Sequence, residues 1–202
     1  MSILERNKQK DDDISPSSSK AALKFFLELV QVVAISLAII IPVRYFLVQP
    51  FFVKGASMEP NFFDHEYLII DELSYRFREP DRGDIVVFHY PNDPKNYFIK
   101  RVIALPGETV EIIDGQVKVY NDQYPNGIVL DERAYLDDIY TAQTRRETLK
   151  ANEYFVLGDN RASSLDSRYF GPISEDVVVG RVWVRGWPFD RWKIFSPPNY
   201  NF

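Results

Sequence analysis

Hydrophobic and polar positions divide the chain into three parts. Residues 1–20 are polar, with an acidic run at 11–13 and a serine-rich stretch at 15–19. Such a segment cannot bury enough apolar surface to fold, so we predict a disordered tail. An apolar run follows from Phe25 to Val48, and short β-type runs separated by turns occupy the rest. We therefore predict a tail (1–20), a helix (21–48) and a β-rich domain (49–202).

The apolar run is long enough to cross a membrane, since a span takes about 20 mostly apolar residues. No small-x-small cleavage site follows it, which favours an uncleaved anchor over a signal peptide. A buried core helix is the alternative. Basic residues slightly outnumber acidic ones before the run. This bias predicts a single-pass protein of the cell membrane, with a cytoplasmic N-terminus and the folded domain on the outer face.

The remainder of the chain predicts a mainly β fold, because alternating and β-branched runs are separated by turn sequences such as LPGE and YPNG. One segment, 132–150, has a helical period instead, and we interpret 131–150 as a polar insertion. The three tryptophans are expected to pack in the core and the late strands. The predicted strands are 67–71, 84–90, 97–104, 109–113, 116–120, 153–159 and 177–187.

Composition narrows the chemistry. A net charge of −5 argues against a nucleic-acid binder. The absence of cysteine excludes a thiol nucleophile and thiolate metal sites. The two histidines, His65 and His89, lie outside any metal-ligand spacing, so neither a metal nor another cofactor is expected. Nothing in the sequence favours a Ser-His-Asp triad.

The stretch KGASMEPNFF presents a serine, Ser57, between small residues and a proline turn. A serine hydroxyl needs a base to become a nucleophile. The strand YFIKRVIA offers one, because alternation places Phe98, Lys100 and Val102 on one face and Arg101 on the other. One of the two charges is therefore expected against apolar neighbours. Burial lowers the pKa of a lysine, whereas arginine stays protonated. The third candidate element is the polar loop GDNRASSLDSR at 158–168.

Four blocks taken together resemble the type I signal peptidases, which are membrane-anchored serine proteases that remove signal peptides from secreted proteins. The blocks are KGASMEP, RGDIVVF, KRVIALPGE and GDNRASSLDSRYFGPI, in that order. The resemblance covers about residues 25–190. It implies a β-rich catalytic domain of the signal-peptidase type behind a single transmembrane helix.

The resemblance also implies roles for individual residues. Ser57 corresponds to the nucleophile, Lys100 to the general base, and Ser164 to the serine that hydrogen-bonds and positions the lysine amine. Met58 is expected beside the substrate groove. The residues expected to support the loop, in part through an ion pair, are Asp159, Asp166 and Arg168.

Two positions depart from the family pattern. Gly55 stands where some members have a serine that helps to stabilise the oxyanion, so the oxyanion hole should consist of backbone N–H groups, chiefly that of Ser57. Asn61 stands where threonine is common. The family further implies secretory precursors as substrates, cleavage after Ala-x-Ala-like sites, and a monomeric enzyme at the lipid bilayer. Phenylalanines near Ser57 either rest on that bilayer or belong to the core: Phe51, Phe52, Phe62 and Phe63.

Two rival interpretations remain open at this point. One is a soluble self-cleaving Ser-Lys protease, against which the apolar run and the lack of a DNA-binding module argue. The other is a membrane-tethered β binding module with vestigial catalytic residues. The intact set of Ser57, Lys100 and Ser164 argues against the second.

Overall fold

The computed structural model describes residues 18–46, 48–137 and 140–200. The chain divides into two units between Val43 and Arg44, and each is described by itself. The predicted disordered tail lies outside the described residues as far as residue 17. The domain boundaries at residues 20 and 48 stay predictions.

The first unit is built on helix α1 (Ser18–Phe46). Within it, Lys20–Ile41 spans 22 residues with a mean hydropathy of 2.2, which is long and apolar enough to cross a membrane. At about 1.5 Å per residue, 22 residues extend roughly 33 Å, close to the thickness of a hydrocarbon core. Length and composition are therefore those of a membrane span.

The second unit contains two antiparallel sheets. The larger has the order β1-β2-β11-β3-β4-β9-β10, with β12 paired to β11. Its strands are β1 (Val48–Phe52), β2 (Tyr67–Asp71), β3 (Ile85–Tyr90), β4 (Asp93–Ala104), β9 (Glu153–Leu157), β10 (Ile173–Ser174), β11 (Val178–Trp187) and β12 (Lys193–Ile194).

The smaller sheet has the order β7-β6-β5-β8. A one-turn helix, α2, precedes β10 and follows the polar loop at 158–166. The bounds of these elements are β5 (Thr109–Ile113), β6 (Gln116–Tyr120), β7 (Ile128–Val129), β8 (Arg145–Thr148) and α2 (Ser167–Phe170).

Strand β3 shows how the sequence builds the core of the larger sheet. Its apolar residues alternate between two packed clusters: Ile85 and Val87 contribute to one, and Val86 and Phe88 to the other. A strand buried on both faces reads as a continuous apolar run rather than an alternating one. A third cluster lies where the two sheets pack together, joining Ile103 and Phe155 to the inner face of β5 and β6.

The prediction of a mainly β domain with one N-terminal apolar helix is confirmed. Three predicted strands coincide with β2, β5 and β6. The helical period at 132–150 was misleading, because the described part of this segment contains no helix and its residues 145–148 form β8 against β5. Strand β1 was not predicted, since Pro50 interrupts its pattern and its residues continue the apolar run.

The expected burial of the tryptophans is wrong. Trp183, Trp187 and Trp192 are 42%, 49% and 57% exposed. Trp183 and Trp187 project from β11 where its register against β2 shifts, while Val182, Val184 and Arg185 are buried.

Candidate active site

Ser57 lies in the turn-rich segment that joins β1 to β2. Gly55 has a φ of +87°, a conformation that glycine adopts without steric cost, and its N–H donates to Asp64 Oδ1 at 2.9 Å. A further turn is closed by the Phe62 N–H, which donates to the Met58 carbonyl at 2.9 Å. These turns leave Ser57 half-buried at the wall of a cleft.

Lys100 reaches Ser57 from β4. Its Nζ lies 2.8 Å from Ser57 Oγ and donates to the Ile99 carbonyl at 2.7 Å. The residue is only 3% exposed. Burial penalises the charged ammonium and lowers the pKa of Lys100 to about 8, although the carboxylates of Asp166 and Asp159 oppose the shift. The neutral amine is therefore a minor but accessible form near physiological pH.

Arg101 is buried as deeply as its neighbour, at 4% exposed, but on the opposite face of β4. Its guanidinium binds both carboxylate oxygens of Asp159, at 2.8 and 2.6 Å. The expectation that one of the two charges would be buried was too cautious, because both are. The cost of burying a charge is avoided differently in the two residues. Lys100 can lose its proton, whereas Arg101 keeps its charge and pairs with Asp159.

The loop after β9 donates hydrogen bonds to the backbone carbonyls of the Ser57 turn. The Asn160 N–H donates to the Ser57 carbonyl at 3.1 Å, and its side-chain amide donates to the Ala56 carbonyl at 3.0 Å. Gly158 must be glycine here, since a Cβ would lie 2.4 Å from the Ser57 carbonyl oxygen and 2.1 Å from Ser164 Oγ. The motif GDNRASSLDSR contains both Gly158 and Asn160, but the sequence alone does not predict these contacts.

Ser164 is close to this junction, yet it does not make the hydrogen bond to Lys100 that the resemblance implies. Its Oγ is buried and has no hydrogen-bond partner among the described residues. The Lys100 amine donates to the Ile99 carbonyl instead. The positioning role of Ser164 stays a prediction, with its hydroxyl packed against Gly158 and free to accept or donate.

Asp166 and Arg168 hold the end of the loop as an ion pair. Arg168 binds both Asp166 oxygens at 2.8 Å, and both side chains are buried. Asp166 also caps α2 and accepts a hydrogen bond from the Gly158 N–H at 3.0 Å. Asp166 and Arg168 are therefore brought together as expected, while Asp159 pairs with Arg101 on β4 rather than within the loop.

Met58 is not at the groove. It is 1% exposed and packs with Val53, Phe62 and Leu68 in the core under the Ser57 turn. The turn closed at Phe62 directs the Met58 side chain inward, so the expectation of a groove position is corrected. The side chain packs beneath the Ser57 turn.

A cleft of about 510 Å³ extends from Ser57 between β1 and β4. The rings of Phe51 and Tyr97 meet across it at 5.2 Å. Among the described strands β1 pairs with β2 alone, and β4 pairs with β9 only from Arg101 onward, so both walls have strand edges without a neighbour. Neither histidine lines this cleft. The lining residues are Phe51–Lys54, Ser57, Leu68, Val87, Lys95–Lys100 and Leu165.

A half-buried serine lies in contact with a buried lysine of lowered pKa, which is a geometry in which an amine could accept a hydroxyl proton. Comparison with known proteins identifies the family. The family model "Signal peptidase, peptidase S26" matches residues 26–187. The chain therefore belongs to this family of signal peptidases, and it is a serine endopeptidase.

Individual relatives are similar over most of their length. The signal peptidase I of Leptolyngbya laminosa is 35% identical over 182 residues, which is 86% of each chain. A probable signal peptidase I-2 of Synechocystis is 38% identical, covering 82% of this chain and 75% of that protein. Signal peptidase IB of Staphylococcus aureus is 34% identical, covering 87% and 97%. A crystal structure of an Enterococcus faecalis signal peptidase I has a TM-score of 0.43 at 34% identity, covering 52% of this chain and 97% of that one.

Burial of Lys100 predicts that Lys100→Met stabilises the second unit. The pKa of Lys100 falls from its usual 10.5 to about 8 in the folded protein. Below pH 8 the folded lysine is mostly protonated, so the full free-energy cost of burying the ammonium then opposes folding. Allowing for the lost hydrogen bonds of Nζ, we expect a gain of about 1–3 kcal/mol at pH 7. The gain should shrink as pH rises from 8 toward 10.5, where the folded lysine is already neutral. Thermal unfolding across this range measures it, and a variant less stable than the parent at pH 7 would contradict it.

Proposed function

We propose that this endopeptidase removes N-terminal signal peptides from exported precursor proteins, with Ser57 as nucleophile and Lys100 as general base. The observation that carries the proposal is the 2.8 Å contact between Lys100 Nζ and Ser57 Oγ at the wall of the cleft. Family membership and the names of the relatives support the substrate class.

In the first step the neutral Lys100 amine accepts the hydroxyl proton of Ser57 as Oγ attacks the carbonyl carbon before the scissile bond. Lys100 is then an ammonium and donates its proton to the departing amine, which leaves an ester on Ser57. A water molecule takes the place of the amine. Lys100 accepts a proton from this water as the water attacks the ester carbonyl, and Lys100 returns a proton to Ser57 Oγ when the acid product leaves.

The oxyanion of each tetrahedral intermediate needs hydrogen-bond donors that are not otherwise engaged. The backbone N–H of Ser57 has no acceptor among the described residues, which suits it to this role. Gly55 offers no hydroxyl, so no side chain at that position assists. Oxyanion stabilisation then depends on how firmly the Ser57 backbone is held, and Asn160 and Gly158 hold it.

The cleft favours an extended substrate. A peptide placed between β1 and β4 can pair with the open edges of both strands, and main-chain hydrogen bonds of this kind bind without regard to sequence. Selectivity then comes from the side-chain pockets. Apolar residues, among them Val53 and Ile99, line the cleft with Ser57, which suits the small apolar side chains of the small-x-small sites that we propose as its targets.

Helix α1 supports a membrane anchor, with the N-terminus in the cytoplasm and the β domain on the outer face, where precursor cleavage sites emerge. The basic bias of the tail carries that orientation. Substrate and enzyme then meet in the plane of one bilayer.

An exposed aromatic row supports a second contact with the bilayer. Phe52, Tyr67 and Trp187 are directly paired across β1, β2 and β11, and the Phe189 ring lies 4.9 Å from that of Trp187. All four are exposed. Aromatic side chains favour the interface between lipid and water. Of the phenylalanines considered from the sequence, Phe52 and Phe63 are exposed, whereas Phe62 is fully buried in the core.

Cleavage of a secretory precursor by the detergent-solubilised chain tests the proposal. A cut directly after an Ala-x-Ala-like site is expected from the wild type. Ser57→Ala and Lys100→Arg should each lower the cleavage rate by roughly 10³-fold or more. The first removes the hydroxyl, and the second keeps the charge but cannot give up its proton. Lys118→Arg, on strand β6 of the smaller sheet, is the matched control, and this variant should cleave at the wild-type rate. Absence of any cut by folded wild type would favour a binding module.

The pH profile tests Lys100 separately. Since the base must be neutral, kcat/KM should fall about tenfold per pH unit below its pKa and level off above it. That pKa is lowered to about 8, so the bend should lie near pH 8. Initial rates on a short peptide between pH 6 and 9.5 measure it, and a profile that is flat through this range would remove Lys100 from the role of base.

The aromatic row predicts a difference between substrates. The double variant Trp187→Ser and Phe189→Ser, reconstituted in vesicles, should cleave a membrane-embedded precursor roughly tenfold more slowly, given the apolar area removed. Cleavage of a short soluble peptide should stay within about twofold. Phe77→Ser, an exposed phenylalanine beyond the opposite end of β2, is the control. Equal loss on both substrates would place the defect in the active site.

A further inference from the structure

Residues 132–137 and 140–141, interpreted from the sequence as part of a polar insertion, contact all three elements that carry the catalytic candidates. They meet the Ser57 turn at Asn61, strand β4 at Arg101, and the loop of Ser164 at Arg161. A segment that only decorates the surface would not be expected to touch each of these parts.

Glu132 makes the contact to the loop. It is 2% exposed and binds both terminal nitrogens of Arg161, one of which also donates to Thr141 Oγ1. The Nε of Arg161 in turn donates to the Gly158 carbonyl at 3.1 Å. Gly158 is the residue that packs between the Ser57 backbone and Ser164. A chain of polar contacts therefore runs from Glu132 to the junction of nucleophile and loop.

Tyr135 makes the other two contacts. Its ring lies 3.9 Å from the guanidinium carbon of Arg101, the immediate neighbour of Lys100. Its carbonyl accepts a hydrogen bond from the Asn61 amide at 2.7 Å, and the same amide donates to Asp159 at 2.9 Å. The Tyr135 hydroxyl donates to Glu132 at 2.6 Å, which joins the two residues into one unit.

We infer that Glu132 and Tyr135 are positioning residues that hold Ser57 and Lys100 in reacting geometry, acting through Arg161, Arg101 and Asn61. The inference rests on the proposed roles of Ser57 and Lys100. Its physical basis is that the Lys100 amine lies on β4, whereas the Ser57 hydroxyl lies on a turn 43 residues earlier in the chain. A displacement of about 1 Å between reacting groups can cost 10²-fold in rate.

A purely structural role predicts something different. A buried ion pair that only adds or removes stability would change the midpoint of unfolding and leave the folded enzyme intact. The test therefore compares Glu132→Gln with Val119→Ala, a cavity in the core between the two sheets, after choosing a temperature at which both are folded.

The first readout is the reaction of Ser57 with a small fluorophosphonate, which needs the activated serine but no peptide in the cleft. Glu132→Gln should lower this rate and the kcat for a peptide by roughly 10- to 100-fold, with KM changed less than about threefold. Val119→Ala should keep both rates. Equal rates for Glu132→Gln and Val119→Ala would overturn the inference.

Three further substitutions test the path. If Glu132 acts through Arg161, adding Arg161→Gln to Glu132→Gln should produce no greater loss than the worse single variant. Tyr135→Leu should lower kcat because it removes the ring over Arg101, whereas Tyr135→Phe keeps that ring and should retain most of the activity. Additive losses, or equal effects of the two tyrosine variants, would overturn the path. A wild type that reacts with the fluorophosphonate but cleaves no precursor would refute the proposed function and leave this inference standing.

Discussion

The second unit is organised around a lysine amine that is kept away from water. Outside a protein, Lys100 would be an ammonium at neutral pH and useless as a base. Burial in β4 makes the neutral form accessible, and in the proposed mechanism the contact with Ser57 gives that form a proton to accept. The neighbouring turns and ion pairs hold the strand and the serine around this contact.

The surrounding charges are arranged so that this burial is not undone. Asp159 and Asp166 would each favour the ammonium form of Lys100 if left unpaired. Arg101 occupies both oxygens of Asp159, and Arg168 does the same for Asp166. Their residual pull raises the pKa only part of the way back, while desolvation dominates. The ion pairs therefore coincide with a site in which desolvation, and not the carboxylates, has the larger effect on the pKa of the amine.

Sequence reasoning recovered what is encoded locally. Alternation predicted that Lys100 and Arg101 face opposite ways, and the block motifs brought Ser57 and the 158–168 loop into one site. It failed where tertiary contacts decide. The inward direction of Met58 depends on a turn closed five residues after Ser57, and the tie between Asp159 and Arg101 joins residues 58 positions apart. The helical period at 132–150 was overridden by pairing of β8 with β5.

The position of adjacent Lys100 and Arg101 on β4 has a consequence for how the strand can change. Every side chain of a strand passes to the other face when its register slips by one residue. Deletion of one residue before this point would place Arg101 at the Lys100 position, so that a permanently charged guanidinium would face Ser57 and Asp159 would lose its partner. In the proposed mechanism such a strand supplies no base. The register of β4, and not only its residues, therefore determines whether a removable proton lies beside the serine.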